Sequence, residues 1–267
     1  MFLFAEAAAA ITASLDVFDF SWVGSPQGWV ALLTLCVLEI VLGIDNLVFI
    51  SILVEKLPPD KRPKARFFGL ALAMLTRIML LLTISWVMSL TKPLFTLTAF
   101  DLAISGKDLV LIVGGLFLIY KSTKEIHEKM EDGDEHAEFS AGAARAAFGA
   151  ILIQIAVLDI VFSLDSVITA VGMVDYVSLM VIAVLIAVGF MMVFAGTVSN
   201  FVSRHPTVKI LALSFLLLIG TTLIGEGLHF HIPKGYVYFA MGFSVFVELL
   251  NLRSSKKKKE AEAPEGV

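Results

Sequence analysis

Four acidic residues stand inside otherwise apolar runs of the sequence. Glu39 and Asp45 lie in Leu-Glu-Ile-Val-Leu-Gly-Ile-Asp-Asn-Leu (38–47), and Asp159 and Asp165 in Leu-Asp-Ile-Val-Phe-Ser-Leu-Asp-Ser-Val (158–167). An ionised acid at the middle of a bilayer costs at least about 2.5–3.5 kcal/mol on insertion scales, so such residues mark function by default. The structural alternative is pairing with a buried base. Arg77 is the basic candidate within the runs, and one arginine cannot neutralise four acids. Asn46 and Ser166 follow the second acid of each run and add amide and hydroxyl oxygens. An all-oxygen set without thiolate suits a hard or borderline divalent cation such as Mn²⁺, Mg²⁺ or Ca²⁺. Soft Cu⁺ is disfavoured, since Cys36 stands alone; Met74, Met79, Met191 and Met192 read as packing residues.

The two runs are copies of one pattern. At an offset of 120, Glu39 falls on Asp159, Gly43 on Ser163, Asp45 on Asp165 and Asn46 on Ser166. At about 100° per residue, Glu39 and Asn46 share a helix face, whereas Asp45 points about 120° away from Glu39. Asp45 reaches the same site only if the helix unwinds near Gly43, and the same holds, less strongly, at Ser163. A break there would add backbone carbonyls to the ligand set. Lys107 and Glu125 correspond loosely to Lys209 and Glu226. Gln154 and Thr34 precede the acids at matching places and offer further oxygens or interhelical hydrogen bonds.

The elements that position these residues follow from composition. Of 267 residues, 58% are hydrophobic and 16% charged, against about 25% charged in a soluble domain. The net charge of −4 argues against a nucleic-acid partner, and a single cysteine excludes a disulfide framework. Seven apolar runs approach or exceed the ~20 residues that cross a bilayer as a helix: 28–54, 66–90, 107–121, 146–172, 176–202, 207–228 and 235–252. None alternates as a barrel strand would. The expected fold is an all-α membrane protein with seven transmembrane helices, arranged as two inverted three-helix repeats (28–127 and 146–229) plus one extra helix (235–252).

Basic residues set the orientation. Lys56, Lys61, Arg62, Lys64 and Arg66 lie in the first loop, Lys121, Lys124, Lys129 and Arg145 in the third, Arg204 and Lys209 in the fifth, and Arg253 and Lys256 to Lys259 in the tail. The even loops hold only Lys92, Lys107 and Lys234. The N-terminal segment 1–27 is therefore expected outside and the basic tail 253–267 in the cytoplasm. Three spans per repeat force the second copy to enter from the opposite side, the architecture of many secondary transporters. The stretch 92–105 is expected on the external surface or dipping back into the membrane, and 121–140 as a charged cytoplasmic linker with His127 and His136 among its acids. Glu226, His229 and His231 are placed to line an exit, Glu248 and Asn251 at an interface, and Gly114 and Gly115 at a close helix contact.

The stretch Glu39 to Asn46, its partner Leu158 to Ser166, Gly114-Gly-Leu-Phe-Leu118 followed by Lys124-Glu-Ile126, and Leu211 to Gly220 resemble the TerC (tellurium resistance protein C) family of bacterial integral membrane proteins. The likeness runs from about Trp29 to Asn251 and is nearest to short inner-membrane members that end after the seventh span. Larger relatives with appended cytoplasmic domains differ. The resemblance implies a transporter of the lysine-exporter-like superfamily, with manganese efflux as the activity of several members. It maps the family's membrane acids onto Glu39, Asp45, Asp159 and Asp165, with Asn46 and Ser166 beside them.

The leading expectation is export of a divalent cation, manganese first, through carboxylates at the interface of the two repeats, with protons as the counter-ion. No resident cofactor is expected; the partners are the lipid bilayer and the transported ion, and the oligomeric state is left open. The location is the bacterial inner membrane. Two alternatives compete. An intramembrane aspartyl-type enzyme could use paired aspartates, but its Gly-x-Gly-Asp pattern is missing, as are a His-Glu-x-x-His helix and a Walker motif; the chain is read as no enzyme. A non-transporting accessory protein in metal delivery or membrane-protein assembly is the other.

Overall fold

In lipid, backbone N–H and C=O groups find partners only within the chain, so each long apolar run folds as a helix. The computed structural model describes residues 19–97, 102–131, 141–230 and 232–262, without the side chains of Asp45, 84–86, Leu97, Leu102, 141–145, Lys234 and 255–262. The helices are α1 (Pro26–Glu55), α2 (Arg62–Leu82), the short α3 (Ile84–Ser89), α4 (Gly106–Glu131), α5 (Ala141–Met173), α6 (Val177–Arg204), α7 (Pro206–Gly227) and α8 (Lys234–Glu262). A hairpin of β1 (Pro93–Leu97) and β2 (Leu102–Ser105) separates α3 from α4.

Local chemistry sets the boundaries. Ser25 caps α1 by accepting the Gly28 N–H at 3.1 Å, with Pro26 pre-set for the first turn. At the other end, Arg62 closes α1 by donating to the carbonyls of Leu57 (2.8 Å) and Glu55 (2.9 Å). Ser105 and Asp108 cap α4 reciprocally: Asp108 Oδ2 accepts the Ser105 N–H at 2.8 Å, and Ser105 Oγ accepts the Asp108 N–H at 3.2 Å.

The chain is an all-α membrane protein apart from its hairpin, and several bounds differ from expectation. Among the described residues, six helical segments are long and apolar enough to cross a membrane: Pro26–Glu55, Arg62–Leu82, Ala146–Met173, Val177–Arg204, Pro206–Gly227 and Gly235–Ser254. The expected third span falls in α4, whose apolar part is bracketed by Lys107, Asp108 and Lys121, and it is not among the six. The expected run 66–90 ends at Leu82, where Thr83 leaves helical geometry; its Oγ1 bonds the Met79 carbonyl at 2.7 Å, competing with the ladder. The stretch 92–105 forms the hairpin, with its turn outside the described residues. Residues 121–131 continue α4 and are no linker; Asp132, Asp134, Glu135 and His136 lie outside the described residues. The basic tail begins inside α8, which runs on to Glu262. Within the expected external segment, Trp22 is buried and donates Nε1–H to Ser178 Oγ on α6 at 2.9 Å, while residues 1–18 lie outside the description. Replacing Trp22 with Phe is expected to cost about 1 kcal/mol through that hydrogen bond, read as a lower melting temperature of the purified protein in detergent.

The principal packing pairs are α1 with α6, α2 with α5, and α4 with α7. Exchanging the first three long helices for the second three carries each pair into another or into itself. Neighbours on α1 and α5 run in opposite senses: Leu35 shares a cavity with Ala170, Leu42 with Phe162, and Asn46 meets Asp159. At the α4–α7 crossing, Gly115 and Gly220 face each other backbone to backbone.

Candidate functional site

Glu39 on α1 and Asp159 on α5 both reach Arg77 on α2. Arg77 Nη1 donates to Glu39 Oε2, and Arg77 Nε to Asp159 Oδ1 at 3.2 Å. All three are buried, Arg77 at 2% exposure and Asp159 at 3%. The cluster sits where α1, α2 and α5 meet. Thr76, one residue before Arg77, donates Oγ1–H to Asp159 Oδ2 at 2.7 Å.

The smaller polar residues take reciprocal places. Asn46 Nδ2 donates to Asp159 Oδ1 at 3.4 Å, so a residue of the first run serves the acid of the second. Ser166 in the second run lies beside Glu39 of the first. The contacts cross between the two runs: Asn46 with Asp159 and Ser166 with Glu39.

Asp165 takes a different partner. Lys107, the second residue of α4, approaches its Oδ1 at 3.2 Å and Glu226 Oε1 at 4.0 Å. Lys209, near the start of α7, pairs with Glu55 on α1 at 2.8 Å, and Ser203 donates to the same carboxylate. Each lysine stands in the first turns of its helix and reaches a different long helix, Lys107 to Asp165 on α5 and Lys209 to Glu55 on α1. Asp45 lies on α1, and its side chain is outside the described residues. The helices do not unwind at Gly43 or Ser163: both α1 and α5 are continuous. Serine satisfies itself within the helix, Ser163 Oγ bonding the Asp159 carbonyl at 2.5 Å and Ser166 Oγ the Ser163 carbonyl at 3.2 Å. Gly43 packs against the thioether end of Met191, which would have to swing aside for a side chain there. Met191 is accordingly a packing residue, as expected.

Three cavities border this cluster, and Arg77 lines each of them. One of about 10 Å³ lies on the Asp159 side with Asn46, Ile50 and Met191; another of about 10 Å³ lies on the Glu39 side with Leu35, Ala170 and Val184. The third, of about 70 Å³, is bordered by Asn46, Asp165, Ser166, Thr222 and Glu226. It has room for a few waters, where each small one has room for about one. Among the described residues, no three His, Cys, Asp or Glu groups stand together as a metal cage; Arg77 bridges Glu39 and Asp159, and Lys107 reaches both Asp165 and Glu226.

The two ends of the bundle carry further ion pairs. Lys56 sits between Glu125 (2.5 Å) and Glu128 (3.0 Å) on α4. Burial pushes the Lys56 ammonium down, but the bonds to Glu125 and then Glu128 outweigh it and hold the group above its ordinary value. At the other end, Asp108 accepts from Ser105 Oγ at 2.6 Å and contacts His229 Nε2 at 3.1 Å. Of the residues that spacing marked, Glu39, Asn46, Asp159 and Ser166 are brought together, with Asp165 on the adjoining cavity. Thr76 and the inward reach of Lys107 were missed. The signal for Lys107 was available: a buried acid needs a partner, and this lysine opens an apolar helix.

The sequence model of the integral membrane protein TerC family matches residues 24–263. The chain belongs to the TerC family. This TerC protein is 55% identical over 240 residues to a Haemophilus influenzae protein named "UPF0053 protein", covering 90% of this chain and 100% of that one. It is 54% identical over 238 residues to the Escherichia coli K12 "UPF0053 inner membrane protein YgdQ", covering 89% and 98%. With the E. coli K12 "UPF0053 inner membrane protein YoaE" it shares 53% over 226 residues, 85% of this chain and 43% of that one. No solved structure matches it significantly. The six apolar helices and these kinships make the TerC protein a multi-pass inner-membrane protein.

Proposed function

We propose that this TerC protein exports a divalent metal cation, manganese first, by alternating access of two inverted three-helix repeats, with protons moving in the opposite sense. The N-terminus lies outside and the C-terminus in the cytoplasm. The observation that carries the reading is the meeting of Glu39 and Asp159, matching positions of the two runs, at one buried point flanked by a small cavity on either side. Carboxylates shared by two halves bind an ion between them, and rocking one half against the other moves the opening from one small cavity to the other. Asn46 and Ser166 supply neutral oxygens beside the acids. Asp45 and Asp165 serve as further ligands or proton carriers. A carboxylate that has released its cation accepts a proton in exchange, which couples export to the proton gradient.

The test is manganese flux into or out of liposomes holding the purified protein, with a pH gradient imposed and then removed. Flux above empty liposomes that responds to the gradient is the expected result. Asp159→Asn, Asp45→Asn and Asp165→Asn are each expected to reduce it to the level of empty liposomes at equal protein content. Absence of flux for Mn²⁺, Mg²⁺ and Ca²⁺ alike would overturn the proposal and leave the accessory role standing.

A further inference from the structure

Arg77 poses a problem for any cation that comes to Glu39 and Asp159. A guanidinium does not lose its charge in a protein, so it cannot step aside by deprotonation. Two carboxylates with Arg77 sum to a charge of −1; two carboxylates with a divalent ion sum to zero. All three together would leave a net positive charge in a site screened from water, on top of direct repulsion between cargo and guanidinium. The donor positions also conflict, because Arg77 already engages one oxygen of each acid, Glu39 Oε2 and Asp159 Oδ1. Cargo and guanidinium are therefore mutually exclusive occupants.

Of the described cavities beside Arg77, the one bordered by Asp165 and Glu226 has the most room and the acidic lining to receive the displaced guanidinium alongside Lys107. Of the three cavities that Arg77 borders, two have room for about a single water. The third, of about 70 Å³, is lined by Asp165, Glu226, Asn46 and Ser166, whose oxygens accept hydrogen bonds. Resting on the export reading above, we propose that Arg77 is a tethered counter-cation: it bridges Glu39 and Asp159 while the cargo is away and withdraws into the Asp165-lined cavity when a divalent cation binds. The residue is a positioning residue: with Arg77 in place the empty pair carries −1, so uptake of a single proton completes its neutrality for the return across the membrane. The two halves differ here, because α6 carries no basic residue between Val177 and Val202. One arginine serves both acids, and occupancy of the pair is all or none.

The experiment is titration of the purified full-length protein in detergent with manganese chloride, read by calorimetry at pH 8 to limit competition by protons. If Arg77 occupies the site most of the time, removing it raises the apparent affinity by the inverse of the fraction left open. Arg77→Gln is thus expected to bind manganese about tenfold or more tightly than the wild type. In liposomes, manganese–manganese exchange by that variant is expected to persist while net export falls about tenfold. Arg77→Lys keeps the charge but loses the two-pronged hold, and is expected to tighten binding by an intermediate factor. It decides the matter alone if the Gln variant does not fold. Unchanged or weaker binding by a folded variant would mean that Arg77 is a permanent clamp, overturning this inference alone. A wild-type protein that binds no manganese would overturn the export reading and this inference with it.

Discussion

Arg77→Met is expected to lower stability by about 3–5 kcal/mol, because it leaves Glu39 and Asp159 buried without a compensating charge. The companion variant carries the weight of the argument. Replacing the whole cluster, Arg77→Met with Glu39→Gln and Asp159→Asn, removes the uncompensated charges and is expected to recover most of the loss, since a buried ion network is often matched by neutral residues of similar size. Thermal melting of both proteins in detergent reads the effect. Recovery of stability with no recovery of manganese flux would separate the two things the cluster does. If Arg77→Met melts like the wild type, the cluster is more hydrated than its burial implies.

Gly115→Val is the second large effect. A Cβ at Gly115 would stand 2.5 Å from the Gly220 carbonyl oxygen, one at Gly220 would stand 2.9 Å from the Gly115 carbonyl oxygen, and one at Gly227 would stand 2.8 Å from the Asp108 carbonyl oxygen. The obstacle is backbone in every case, so α4 and α7 would have to separate. Overpacking of this kind costs about 1–3 kcal/mol or more, and in lipid close approach through small residues is a main source of helix attachment. Separation would also draw Lys107 on α4 away from Glu226 on α7 and from Asp165. The expected result is a lower melting temperature together with reduced flux. Gly149→Val and Gly189→Val, where a Cβ meets open space, are expected to change neither.

The site was legible to the extent that its chemistry is expensive. Acids in apolar helices stand out because lipid penalises them, and their recurrence at an offset of 120 names the positions that meet. Glu39, Asn46, Asp159 and Ser166 were found this way. Thr76 was not, because a threonine in an apolar helix commonly donates to its own backbone; here the Ala73 carbonyl stands within reach at 2.9 Å, but the Asp159 carboxylate is the nearer acceptor at 2.7 Å. The unwinding expected at Gly43 was a deduction from helix angles that assumed all the acids share one site. The structure removes the assumption: Asp165 has its own partner in Lys107, and α5 stays continuous.

The hairpin Pro93–Leu97 and Leu102–Ser105 was missed for a related reason. Its apolar and β-branched residues, among them Thr96 and Ile104, suit either a short re-entrant piece or a strand pair, and periodicity over so few residues does not separate them. The length of α4 beyond residue 121 was missed because charge was read as a loop. Glu125 is buried against Lys56 and Lys121, so the charged turn is a packed one.

What the sequence determined by itself is set by local rules: which runs must be helical in lipid, that two of them are copies, and that their acids need a purpose. Each follows from solvent cost and periodicity, which act along the chain. Which cation answers which acid was decided only in three dimensions. Arg77 is 38 residues from Glu39 and 82 from Asp159, and Lys107 is on another helix from Asp165. Such pairings depend on how helices cross, and crossings are set by side-chain shape and by glycines such as Gly115 and Gly220, whose role is invisible until two backbones touch.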